Sequence, residues 1–110
     1  MARFGLLMLK DFIWVGQSIL SDTVFIEQMK QSGQTINPAY GYLTSLKGEL
    51  NHMQAGLSIS FSGAIISAAP SDLYRAAGKN DQRIYMVPSL YMAVVSQGGR
   101  GFISFSIIYF

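Results

Sequence analysis
The sequence predicts an α+β domain: N-terminal helices packed on a C-terminal antiparallel β-meander of about three to four strands. Three observations carry that expectation. Apolar residues recur at helical spacing through the first half of the chain and at a spacing of two from Leu57 onward. A glycine-rich segment, Gln97-Gly98-Gly99-Arg100-Gly101, separates two apolar runs as a hairpin turn would. A chain of 110 residues is the length of one domain, here with a helical half at about 1–55 and a strand half at about 56–110.

The first twenty residues fit two descriptions. Leu6, Leu9, Ile13 and Leu20 follow a helical stripe, while Leu7, Met8, Phe12, Trp14 and Val15 fill the other sides, as in a helix buried all round. The alternative is a strand through Phe12-Ile13-Trp14-Val15 that stops at Gly16. Asp22 is placed to cap a helix running through Val24, Phe25, Ile26 and Met29 to Gln31, closing at Gly33. Ser32 to Asn37 reads as a polar connection, too short to divide domains.

Asn37-Pro38 then predicts a further helix from Pro38 to about Gln54. Asn serves as N-cap because its side-chain oxygen accepts from an orphan N–H of the first turn, and Pro suits the next position. Leu43, Leu46, Leu50 and Met53 would form its packing face, with Gly56 just past its end. Gly41 and Gly48 inside it would each cost roughly 1 kcal/mol relative to Ala, so this helix would depend on its partner surface.

Beyond Leu57 the alternation Leu57-Ser58-Ile59-Ser60-Phe61-Ser62 is that of a strand with one buried face, ending by Ala69-Pro70-Ser71-Asp72. Ser71 to Gln82, with Asp72, Arg75, Lys79 and Asp81, reads as a solvated loop. Ile84 to Ser96 is expected as a second strand, bulged at Pro88, which has no N–H to give a ladder. Phe102 to Phe110 is the third, paired antiparallel with the second across the glycine turn. Both strands carry apolar residues on both faces. A sheet covered by helices on one side has no monomeric reason for that.

Charge is scarce. Eight Lys+Arg and six Asp+Glu make 13% of the chain, against about 25% in ordinary domains. From Ile84 to Phe110 the only charge is Arg100, and Ala55 to Ser71 carries none. Such a surface is expected to be covered by neighbours. Ala55 to Ser71 holds too many Ser, Gly and Pro residues to serve as the roughly 20 mostly apolar residues of a spanning helix. Lys10 and Asp11 interrupt the apolar start, so no signal-peptide core is expected.

The catalytic inventory is thin. With no cysteine and one histidine, thiolate chemistry and metal sites needing two such ligands are excluded. His52 and Glu49, three residues apart, read as a solvated helical pair and not as acid–base machinery. No G-x-S-x-G occurs, and Gly98 to Gly101 matches neither phosphate-binding glycine fingerprint. No cofactor and no metal are expected, and nucleic acid is not an expected partner. Arg75, Lys79, Arg83 and Arg100 are candidates for contact with an anion at one end of the sheet.

Phe102 to Phe110 resembles the closing strand of bacterial outer-membrane barrels, which ends in Phe and alternates apolar residues. The resemblance covers that segment alone. It implies a barrel built from several copies, because this chain offers about three strands and such barrels need eight or more.

These readings predict a non-enzymatic structural subunit that self-assembles or docks into a larger complex, such as a virion, tail or envelope assembly. The candidate interface is Tyr85, Tyr91, Phe102, Phe105, Ile108 and Phe110. One alternative is a small-ligand binder or enzyme with a pocket between helices and a curved sheet. Another is a membrane-associated subunit that places aromatic strands or the first helix at a bilayer.

Overall fold
The computed structural model describes residues 1–42, 44–47, 51–53, 59–63, 66–78, 82–99 and 102–109. It is an α+β arrangement of two N-terminal helices and a largely C-terminal antiparallel sheet. Helix α1 spans Ala2–Leu9. The chain then turns through Asp11 and Phe12, both at positive φ, into a small hairpin of strands β1 (Ile13–Trp14) and β2 (Gln17–Ser18). Both descriptions of the first twenty residues are therefore partly realised, one after the other. Val15 and Gly16 connect the two strands with φ of 50° and 74°, the paired positive values of a tight hairpin turn that matches strand twist.

Helix α2 spans Thr23–Met29, and its first turn is capped as the sequence suggests: the Asp22 carboxylate accepts from the Phe25 N–H at 3.0 Å. After it the expectation fails. In place of a helix from Pro38 to Gln54 there are two short strands, β3 (Ser45–Leu46) and β4 (Asn51–Met53). Leu43, Gly48 and Leu50 lie outside the described residues. Asn37-Pro38 opens a β-turn, closed by the Tyr40 N–H to the Asn37 carbonyl at 3.1 Å, with Pro at the position where its fixed φ suits such a turn. The Asn37 amide does not cap a helix. Its Oδ1 accepts from the Met53 N–H at 3.1 Å and its Nδ2 donates to the Met53 carbonyl at 3.5 Å, so the side chain imitates a neighbouring strand.

Among the described residues, strand β5 (Ser60–Ser62) pairs with β4 alone, in a separate two-stranded sheet, and not with the meander. The meander is β6 (Tyr74–Ala77), β7 (Arg83–Val87), β8 (Met92–Gly99) and β9 (Phe102–Tyr109), each antiparallel to the next, with β3 added outside β6. Two expectations are corrected here. The supposed loop holding Arg75 contains β6. The supposed single strand from Ile84 to Ser96 is two strands joined by a 3-10 turn at Pro88–Leu90, so Pro88 marks a reversal and not a bulge. The pairing partner of the last strand is thus Met92–Gly99.

The break also reassigns faces. Ile84 and Met86 are opposite Val95 and Ala93, and these four share a core with Met8 and Leu9 of α1, Met29 of α2, Leu46 and Tyr74. Gly5 allows α1 to lie close against this face, since a Cβ there would be 2.8 Å from a methyl of Ile84. Leu46 is buried on the edge strand β3, opposite Tyr74. Leu46→Ala should destabilise the fold by about 2–5 kcal/mol. A change in urea midpoint equivalent to less than half a kcal/mol would place Leu46 outside the core.

Candidate functional site
A strand is most available for partners when it is long, uncharged and at an edge, because one row of its backbone N–H and C=O groups is then unpaired. The two edges of the five-stranded sheet differ sharply. β3 has two residues, a length that blunts an edge. β9 has eight, none charged, and no described strand lies on its outer side. Its register places Phe102 opposite Gly99, Phe105 opposite Ser96 and Ile108 opposite Ala93. Phe110 lies outside the described residues.

The other interface candidates are not brought to that edge. Tyr91 is 62% exposed, in a left-handed conformation that ends the 3-10 turn between β7 and β8. Tyr85 is half-buried in the middle of the sheet, opposite Arg75 on one side and Val94 on the other. Arg83 stands opposite Ala77, so Arg75 and Arg83 are diagonal neighbours on the face turned away from α1. The Tyr85 hydroxyl accepts from Arg83 Nη1 at 3.4 Å. The Arg75 Nε is buried and has no hydrogen-bond partner, an omission that usually costs about 1–3 kcal/mol or more for a charged group. Two of the four anion-contact candidates are therefore assembled. Lys79 and Arg100 lie outside the described residues.

No protein family, curated protein or solved structure matches this chain.

A cleft of about 380 Å³ opens beside α2 and the sheet, lined in part by Lys30, Lys47, Asp72, Tyr74 and Pro88. Several of its polar groups hold the fold together. Asp72 accepts from the Ser89 N–H at 2.6 Å and from its hydroxyl at 2.9 Å, tying the 3-10 turn to the start of β6. Lys30 pairs with Asp11 and sits 5.6 Å from the centre of the Tyr74 ring. The Tyr74 hydroxyl donates to the Met8 carbonyl at 3.0 Å, stitching α1 to the sheet. His52 lies in β4 opposite Phe61, which removes its helical relation to Glu49, a residue outside the described ones. Among the described residues, no cluster of three His, Asp or Glu side chains could hold a metal. No helix described is long and apolar enough to cross a membrane.

Burial, with a smaller contribution from the Asp11 carboxylate, pushes the Tyr74 phenol well above its ordinary value near 10. The folded chain therefore keeps a proton that the unfolded chain loses above about pH 10. This contribution to stability is complete below that pH and declines as pH rises, by up to about 1.4 kcal/mol per unit, until the folded phenol itself ionises. Tyr74→Phe should flatten this part of the alkaline limb while losing the bond to Met8. Parallel stability–pH curves for the two proteins between pH 9 and 11.5 would remove Tyr74 from the account.

One exposed apolar feature escaped sequence reasoning. The β1–β2 hairpin leaves Ile13, Trp14 and Ile19 exposed and Val15 at its tip 88% exposed, where a helix buried all round was the first expectation. The alternative strand that stops at Gly16 anticipated the turn, since a glycine after an apolar run marks one, but not the exposure of the residues before it. A β-branched residue at positive φ is nevertheless rare in such a turn, and composition gives no reason to expect it.

Proposed function
We propose that the protein is a non-enzymatic structural subunit that assembles with further copies, or within a larger complex such as a virion, tail or envelope assembly, by strand addition at β9. The observation that carries this reading is the asymmetry of the sheet's edges: a two-residue strand at one, an uncharged eight-residue strand at the other. Edge strands in monomeric proteins are typically shortened, charged, bulged or covered. A second copy placed antiparallel on the same edge would give a two-fold contact in which identical strands satisfy each other, with no like charges brought together. The sparse charge of the whole chain, 13%, agrees with partners covering part of its surface.

Size-exclusion chromatography with light scattering tests this directly. The expected result is a discrete mass that is a multiple of 12.1 kDa and falls on dilution. A mass of one chain at every concentration would overturn self-assembly. The exposed Ile13, Trp14 and Val15 of the first hairpin favour a second reading, contact with a membrane surface, since Trp is at home in that interface. That reading expects sedimentation with lipid vesicles, lost on Trp14→Ser.

A further inference from the structure
We infer that Arg75, Arg83 and Tyr85 form a binding site for a small oxyanion, carboxylate or phosphoryl, on the face of the meander opposite α1. The three are half-buried and held by strand pairing: Arg75 directly across from Tyr85, and Arg83 two residues before Tyr85 on β7. Alternation places them together on one face, because Tyr74, Ile84 and Met86 point into the core on the other.

The chemistry of the site is one of surplus donors. A guanidinium offers its Nε and one terminal nitrogen as a parallel fork that matches two oxygens of a carboxylate or phosphate. In Arg75 the Nε of that fork is sealed from solvent and donates to nothing. Tyr85 accepts from Arg83 through its hydroxyl oxygen, which leaves the phenolic proton to donate to a further acceptor. Two guanidiniums on diagonal positions of neighbouring strands also repel one another. An oxyanion seated between them would accept from Arg75, accept from Tyr85 and reduce the repulsion between the two guanidiniums. Arg75 supplies the fork, Tyr85 a directed hydroxyl and Arg83 the second charge. The half-burial of all three limits the occupant to a small anionic group, and phosphate, with more charge, is expected to bind more tightly than acetate.

The test uses the full chain and two probes, inorganic phosphate and acetate, each titrated at ionic strength held constant with sodium chloride. The amide-type resonance of the Arg75 Nε–H is expected to shift saturably in a ¹H–¹⁵N spectrum with one probe or both. The stronger responder identifies the ligand as phosphoryl or carboxylate. Calorimetry should show the same affinity, lost at least tenfold in Arg75→Gln and several-fold in Tyr85→Phe. An Arg75 Nε–H resonance unmoved by both probes overturns the site. So does an Arg75→Gln variant that binds as well as the parent. Should Arg75→Gln fail to fold, the parent's Nε–H titration and the Tyr85→Phe affinity decide, since loss of one hydroxyl leaves the sheet intact.

Discussion

Gly41→Ala should destabilise the protein by about 2–4 kcal/mol, read as a lower urea midpoint at unchanged slope. The reason is a close approach of backbone to backbone. A Cβ on Gly41 would stand 2.4 Å from the Met29 carbonyl oxygen and 2.7 Å from that of Gln31. These are carbonyls at and just beyond the end of α2, which the helix itself leaves unpaired. The buried Thr44 hydroxyl donates to the Met29 oxygen, and the Gly41 N–H donates to the Thr44 carbonyl at 2.8 Å. Backbone cannot rotate aside as a side chain does, so the helix end and the 37–46 turn must separate. Overpacking of this kind costs about 1–3 kcal/mol, and disturbing the Thr44 bond adds about 1.

The sign of this effect discriminates between two structures. In a helix from Pro38 to Gln54, Gly41 would be an interior glycine, and alanine would stabilise by roughly 1 kcal/mol. Gly33 supplies the control. A Cβ there meets the Tyr40 carbonyl at 3.5 Å and the Tyr42 ring at 3.6 Å, ordinary contact distances. Gly33→Ala should therefore be near neutral or slightly stabilising through the unfolded chain. A more stable Gly41→Ala protein would restore the helix.

That contrast shows what kind of information the chain carries locally. The Asp22 cap was legible because the donor it serves, the Phe25 N–H, is three residues away. The β8–β9 hairpin was legible as a hairpin because alternation and a glycine-rich turn are both short-range signals, but its register was not. Gly98 and Gly99, read as turn residues, extend β8 and pair with Ile103 and Phe102, because glycine is permitted in a strand as well as in a turn. Asn37-Pro38 was misread because the same pair suits a helix start and a β-turn equally well. The choice was made by Met53, sixteen residues on, whose backbone takes both ends of the Asn37 amide. Likewise Leu46 and Met53 keep their seven-residue separation but fall on strands of different sheets. β6 was hidden by Arg75, a charge inside a four-residue strand whose pairing with β7 is visible only in three dimensions. The arginine pair was therefore legible as two cations in one region, while the tyrosine between them required the register.

Deleting Ile107–Phe110 should abolish assembly, because it removes the end of β9 that pairs with Met92, Ala93 and Val94. The loss should be all-or-none in mass, from a multimer to one truncated chain. Some stability should go with it, since Ile108 is opposite Ala93, which is fully buried within the core. A gentler pair of substitutions separates the two roles. Ile108→Ser, opposite Ala93, should lower the unfolding midpoint. Phe105→Ser, three residues away and on the alternate face, should lower oligomer mass while far-ultraviolet circular dichroism stays unchanged. Strand addition also makes a demand that apolar contact alone does not. Lysine introduced along a free edge opposes pairing between copies by placing like charges across the two-fold. Ile107→Lys, opposite half-buried Val94, should then shift the protein to monomer at low salt and recover part of the assembly at 1 M salt, where charges are screened within about 3 Å. A multimer indifferent to Phe105→Ser and Ile107→Lys would exclude β9 as the joint. Assembly would then have to run through another surface, and the exposed hairpin at Ile13, Trp14 and Val15 would be the next to change.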